Sequence, residues 1–287
     1  MGEVIHSAIL TAILLTAPLS VRSTEVLPSA SNAKARAVVQ EGLDALGDEP
    51  TRTVSIHAEG QELRQGQGPN PGGPVLVSRL AVDWKVDLRR KRLSFRREEF
   101  EGDNLKQCYQ YTIAPQARFA ASCRSDAVLA LDLSPIADAW TSWMQQEYPE
   151  PSWQLAHAWS RVDTLEYLGE MYDQGVKQNV VSYATESGQR QTLYLNAENG
   201  LLTKVEGPLA AAPVDGSFIP RIEYAGYRRE AGAMIPSQVS VTRRRGLEIV
   251  KDVLSLSAVR FDEPLSGSAF APPQKKSPRS SNLPEMQ

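Results

Sequence analysis

Apolar and polar positions alternate with a period of two over much of this chain, the signature of strands that bury one face. The alternation is clearest where Leu80, Val82, Trp84, Val86 and Leu88 fall on one phase and Arg79, Asp83, Lys85 and Asp87 on the other. Arg89-Arg90-Lys91-Arg92 then turns the chain back into Leu93 and Phe95. A turn centred on Arg89-Arg90 sets Trp84 opposite Phe95 and Val86 opposite Leu93, an apolar cross-strand ladder, and leaves the basic residues as a solvated hairpin tip. Val54, Ile56 and Ala58 alternate in the same way with Thr53, Ser55 and His57. Further strands are predicted over Val162–Gly169, Lys177–Thr185, Gln189–Leu195, Leu201–Val205 after the Asn199-Gly200 turn, Phe218–Arg229, Pro236–Thr242 and Leu247–Phe261. The Gly- and Pro-rich stretch from Gln65 to Pro74 is a loop.

Helical spacing appears in three places. Ala35, Val38, Val39, Leu43 and Leu46 mark a helix that Ser31 or Asn32 can cap and Gly47 can end. A second helix is predicted from Ser134-Pro135 to about Gln146, with Ile136, Trp140, Trp143 and Met144 as its apolar stripe, and a third from Trp153 to about Trp159 after the break at Pro149 and Pro151. These two either pack as core against the sheet or form an apolar lid. About eleven to thirteen antiparallel strands with few helices predict an α+β, mainly antiparallel fold, one strongly curved sheet shaped as a half-open β-barrel. Such a sheet does not fill its own concave face, so helical side chains, a ligand or both must occupy it. Trp84, Phe95, Trp140, Trp143 and Met144 are the side chains expected along that wall, as a hydrophobic ligand-binding cavity; which way Tyr109 and Tyr111 point is left open by the cysteine beside them.

The ends carry their own signals. Ala8 to Leu19 is an apolar run too short for the roughly 20 residues of a membrane span and suited to a secretory leader, although no Lys or Arg precedes it. The expected organisation is a signal peptide over residues 1–23, one domain over 24–273 and a disordered tail over 274–287, with the protein delivered to the periplasm and no membrane span after leader removal. Cys108 and Cys123 flank a turn at Pro115. If Ala114 pairs with Ala117 across it, the cysteines stand directly opposite, at the Cα separation of roughly 4.5–5.5 Å that a disulfide bridges. An exported protein favours such a bridge over two free thiols.

Composition removes most chemistry. Hydrophobic residues make up 41% of 287, enough for a real core, and 34 acidic against 31 basic residues leave a net charge of −3, so nucleic acid is not an expected partner. Three histidines and two cysteines are too few and too scattered for a metal centre, and no cofactor is expected. His57 alternates out of the core, and His157, among Trp153 and Trp159, reads as a lone surface or interfacial imidazole. Glu98, Glu99 and Glu101 form the densest acidic cluster, but they follow Arg96-Arg97 at a strand end and read as a solvated, charge-balanced edge. No hydrolase, nucleotide or metalloprotease signature is present, so no catalytic residue is assigned and the chain is read as non-enzymatic.

Several segments, taken together, resemble the LolA/LppX-like envelope family. They are the first helix ending Leu43-Asp44-Ala45-Leu46-Gly47, the hairpin Tyr194-Leu195-Asn196-Ala197-Glu198-Asn199-Gly200-Leu201-Leu202, and then Ile222-Glu223-Tyr224-Ala225-Gly226-Tyr227-Arg228, Ala233-Met234-Ile235-Pro236 and Val259-Arg260-Phe261 in order. These motifs specify strands and turns over roughly residues 32 to 273. The resemblance implies a half-open barrel closed by helices whose apolar interior receives a lipid or a lipoprotein acyl chain, with another envelope protein as a further partner. Gly66-Gln67-Gly68-Pro69-Asn70-Pro71-Gly72-Gly73-Pro74 also resembles a loop of the β-domains that precede some exported metallo-β-lactamase-fold hydrolases, which implies an accessory, partner- or substrate-binding role instead. An envelope-stress sensor is the third reading.

Overall fold

The computed structural model describes residues 29–47, 53–66, 73–115, 117–122, 128–130, 144, 148, 150–186, 188–207, 221–245 and 248–271. Its strands are β1 (Thr53–Gln65), β2 (Leu76–Asp87), β3 (Arg92–Glu101), β4 (Asn104–Ala114), β5 (Ala117–Ser122), β6 (Val128–Ala130), β7 (Glu166–Asp173), β8 (Val176–Ala184), β9 (Arg190–Asn196), β10 (Leu202–Glu206), β11 (Arg221–Glu230), β12 (Ala233–Arg245) and β13 (Glu248–Phe261). They form one 13-stranded sheet in the order β6-β5-β4-β3-β2-β1-β13-β12-β11-β10-β9-β8-β7. Two meanders, β1 to β6 and β7 to β13, are therefore joined by a single long-range pair, β1 with β13. Among the described residues the sheet does not close, and β6 and β7 are its edges. β6 is three residues long, and β7 carries Glu166, Glu170 and Asp173 and a bulge between Tyr167 and Gly169, features that blunt an edge against further pairing.

The sheet curves around its core. Side chains from β1, β2, β3 and from β8 through β13 belong to one buried cluster together with α1 (Ala30–Leu46) and α2 (Pro151–Ser160), which a flat sheet of this width does not allow. The ladder expected from the sequence is present, with Trp84 opposite Phe95 and Val86 opposite Leu93. Gly60 stands where the two meanders meet: a Cβ there would overlap the Val253 carbonyl oxygen and lie 2.9 Å from Leu254 Cα. Only glycine lets β13 approach so closely.

Local boundaries differ from the sequence reading where a competing interaction decides. The cap of α1 is Ser29, whose hydroxyl accepts from Asn32 N at 3.1 Å, and not Ser31 or Asn32. Those two side chains pin the helix to the entry of β7. Ser31 Oγ donates to Tyr167 O at 3.2 Å and accepts from Tyr167 N at 3.0 Å, while Asn32 Nδ2 donates to Val162 O at 3.0 Å and Leu165 O at 2.8 Å. The predicted strand from Val162 begins instead with a 3₁₀ turn over Val162–Thr164, whose carbonyls face those donors. Gly47 ends α1 at φ 78°, passing under the β11–β12 turn where a Cβ would lie 2.8 Å from Gly232 O. α2 starts two residues before the predicted Trp153 because Pro151 suits the first helical position and the Glu150 carboxylate caps it, accepting from Ser152 N at 3.0 Å and Trp153 N at 2.9 Å. Of the helix predicted over 135–146 only Met144 is described; Trp140 and Trp143, the predicted signal peptide and the predicted tail lie outside the described residues.

The basic turn is also more structured than a solvated tip. Arg90 is exposed, but Arg92 pairs with buried Asp87 at 2.6 Å and its guanidinium lies 4.3 Å from the Phe270 ring, on the face opposite the core. Burial alone would raise the Asp87 carboxyl; the bonds from Arg92 and Arg90 outweigh it and hold it below the usual carboxylate range.

Candidate functional site

The concave face of β1 to β5 begins as an aromatic wall. Trp84 on β2 and Phe95 on β3 are 5.8 Å apart ring to ring, and Phe95 meets Tyr111 at 6.2 Å and Tyr109 at 6.3 Å on β4. Period-two alternation puts all four on one side, which settles the orientation of the two tyrosines. Trp84 and Phe95 are 3% and 2% exposed, inside the packed core, whereas Tyr109 and Tyr111 are half-buried. Next to them, β5 pairs Ala120 with Tyr111 and Ser122 with Tyr109, and in the same phase Arg118 with Ile113. The wall thus passes from filled core to half-buried rings toward β5. Met144 is fully buried in the same core, and its carbonyl accepts from Tyr148 N at 3.2 Å.

Toward the ends of β1 and β3 that carry Arg64 and Glu99, the wall gives way to buried charge. Continuing the core phase of each strand leads from Ala58 to Glu62 and Arg64, from Phe95 to Arg97 and Glu99, and from Leu254 to Asp252. Arg97, 5% exposed, donates through Nη1 to Asp252 Oδ2 at 2.6 Å, through Nη2 to Asp252 Oδ1 at 3.0 Å, and to Glu62. Arg243 on β12 reaches Asp252 at 2.8 Å, and Arg64 pairs with Glu62 and lies 3.3 Å from Glu99. Glu99 also accepts from Ser78 at 3.0 Å and from Lys106 at 3.2 Å, a residue that the β3–β4 bulge brings forward. Burial by itself would raise the Asp252 and Glu99 carboxyls. Arg243 and Arg97 around the one, and Lys106, Ser78 and Arg64 around the other, outweigh that and hold both below the usual range. Glu99 is 2% exposed, so the acidic cluster expected to be a solvated edge is a buried ion network at this residue. The reason is phase: Glu99 points inward with Phe95, while Glu98 stands on the other face.

A second buried polar group lies under α2. His157 is 8% exposed, stacked on Trp153 at 5.1 Å; its Nδ1 lies 2.9 Å from the Tyr183 hydroxyl and its Nε2 3.1 Å from Glu186 Oε1. Tyr183 in turn donates to Gln191 Oε1 at 2.5 Å, and Gln191 Nε2 reaches Gln154 Oε1 at 3.4 Å. His157 is therefore not a lone surface imidazole but the link that ties α2 to β8 and β9. His57, by contrast, faces out and pairs with Asp83 at 2.7 Å. The hydroxyl beside His157 belongs to a tyrosine that is 0% exposed.

The β4–β5 register pairs Ala114 with Ala117 and runs to Tyr109 with Ser122, the last described pair of that ladder. Cys108 is 4% exposed on the convex face, its Sγ 3.9 Å from Glu98 Oε1; Cys123 lies outside the described residues.

No family model matches this sequence, and no curated protein matches it. Solved structures do. A domain from Vibrio parahaemolyticus named for outer membrane lipoprotein sorting is similar at 12% identity and a TM-score of 0.51, over 83% of this chain and 97% of that one. A DUF1329 family protein from Desulfovibrio piger is similar at 15% identity and a TM-score of 0.50, over 84% of this chain and 97% of that one. A LolA superfamily protein from Nitrosomonas europaea is matched at 12% identity and a TM-score of 0.47, over 83% and 97% of the two chains. At such identities a likeness speaks for the path of the backbone alone. With its open antiparallel sheet, two meanders joined at β1 and β13, and helices on the concave side, this chain has the LolA-like half-barrel fold.

Proposed function

We propose that this protein is a non-enzymatic binding or carrier module that holds a lipid or lipoprotein acyl chain against the concave face of its half-barrel, in the periplasm. The observation that carries the reading is the aromatic wall. Four rings run in series from closed core to half-exposed Tyr109 and Tyr111, and the neighbouring strand sets Ala120 and Ser122 opposite those two. Such a surface suits a flexible apolar chain. The likeness to a domain named for lipoprotein sorting supports it. The alternative role, an accessory module of an exported hydrolase, gains no support from these matches. A receiving envelope protein fits the same reading, since the β7–β8 hairpin exposes Leu168, Met171, Tyr172 and Val176.

Protein isolated from the periplasm is expected to yield co-purified lipid on solvent extraction, and an acyl probe is expected to shift tryptophan emission saturably. Tyr111→Ala, and Trp143→Ala in the segment outside the described residues, should each weaken the response. Absence of lipid together with no response to any acyl probe would overturn the carrier reading.

Export and the Cys108–Cys123 bridge stand together as part of this proposal. Among the described residues no helix is long and apolar enough to cross a membrane. Intact mass should show loss of a leader from exported protein, and non-reducing peptide mapping should join the two cysteine peptides. A loop of about 15 residues closed this way stabilises by roughly 3 kcal/mol. Recovery of both thiols free from periplasmic protein would sink the bridge.

A further inference from the structure

The polar group under α2 is a chain of hydrogen bonds whose direction is fixed at one end. Tyr148 O is a backbone carbonyl and can only accept, so the Gln154 amide turns its Nε2 toward it, at 3.5 Å. Gln154 Oε1 then accepts from Gln191 Nε2 at 3.4 Å, and Gln191 Oε1 from the Tyr183 hydroxyl at 2.5 Å. With its one proton given to Gln191, the Tyr183 oxygen accepts from His157, so a ring proton stands on Nδ1, 2.9 Å away. Nε2 is left facing both Glu186 oxygens, at 3.1 and 3.2 Å. A neutral ring with its proton on Nδ1 would turn a lone pair toward that carboxylate, and the two would repel. The contact closes only when one further proton lies between Nε2 and Glu186. Trp153, stacked on the imidazole at 5.1 Å with 3° between the planes, favours the charged ring.

We infer that the His157–Glu186 pair is a proton-operated latch on α2: with its proton it holds the helix over the concave face, and loss of that proton as pH rises loosens the helix. The surroundings leave the switch to this pair. Tyr183 comes from β8, Gln191 from β9 and Glu186 from the turn between them, while the buried residues of α1, Asn32, Ala35, Val38, Val39, Gly42 and Leu46, bring no ionisable group. At the ends of α2 stand Glu150 and Arg161, the latter donating through Nε to Ala184 O at 3.2 Å. Burial pushes the Glu150 carboxyl up, so its ionisation with rising pH strengthens the helix cap, the opposite sign to the latch. The inference concerns the cover of the concave face and does not depend on what lies beneath it.

Amide hydrogen exchange of the full chain, corrected for the intrinsic effect of pH, reads the latch at residues 151–160. Protection there is expected to fall about 5-fold or more between about pH 6 and about pH 8.5, while β1 and β13 keep theirs. Glu186→Gln is the deciding variant. Its amide donates to the Nε2 lone pair of a neutral ring, so α2 should be equally protected at both pH values, with Glu150 unchanged. Glu186 is exposed on its turn, so the variant should fold, and circular dichroism checks this. Nitrogen-15 spectra of the wild-type ring, which need no substitution, should show protons on both nitrogens at the lower pH and on Nδ1 alone at the higher. Equal α2 protection of the wild type at both pH values, an equal fall in Glu186→Gln, or a neutral ring with its proton on Nε2 overturns the latch.

Discussion

Removing the Arg97 guanidinium would leave the carboxylates of Glu62 and Asp252 confronting each other where water hardly reaches. Arg97→Met keeps much of the stem and is expected to destabilise by about 3–5 kcal/mol, the penalty of breaking a buried network from one side. The pH dependence should identify the cause. Glu99 and Asp252 are held below their ordinary values in the folded chain, so they bind fewer protons there than when unfolded. Their contribution is complete above the unfolded value near 4 and disappears as pH falls through the lowered folded values. Denaturant midpoints should accordingly be flat from about pH 7 to pH 5 and fall steeply below about pH 4, with a shallower acid limb in Arg97→Met. A variant as stable as the wild type at pH 7, with the same acid limb, would show that the network contributes nothing.

At the scale of elements, what the sequence discloses depends on whether one interaction dominates. The β2–β3 register was legible because Trp84, Val86, Leu93 and Phe95 leave one way to bury all four. The cap of α1 was not, since Ser29, Ser31 and Asn32 are all capping types, and the choice among them was made by carbonyls on a distant turn at Val162 and Leu165. The ion network had a signal that went unread: Glu62, Arg97 and Asp252 each continue the apolar phase of their strand, and charges on the inward phase of several strands must meet one another. Gly60 lies between these cases, a glycine within a strand that marks a close backbone approach without naming the partner. Gly60→Ala should drive a methyl into the β13 backbone and lower stability by about 3 kcal/mol. A denaturant midpoint unchanged from wild type would mean that β1 and β13 can part there at no cost.

Across the whole molecule, the half-barrel is divided between a helix-covered apolar region and a charged region on the same concave surface. A hydrocarbon chain held against Tyr109 and Tyr111, as proposed, would meet Arg97 and its carboxylates, so the network would bound the length of apolar guest that fits without desolvating charge. The helices are fastened to strands of the second meander, α1 through Ser31 and Asn32 and α2 through His157 and Tyr183, while the half-exposed tyrosines belong to the first. Opening and closing would therefore move one meander's cover over the other meander's wall.

The pairing of β1 with β13 has a consequence in time. A ribosome, or a translocation channel, releases this chain from its beginning, so β1 emerges early and must wait for the strand that emerges last. Until Glu248–Phe261 is free, each meander can zip up by neighbours alone, but β1 and β12 both stand as unpaired edges and the network around Arg97 lacks Asp252. The half-made protein has two hairpin sheets and no enclosed interior. The last described strand joins the two meanders into one sheet around a shared core, which makes the interval before it the time when this chain most needs a chaperone.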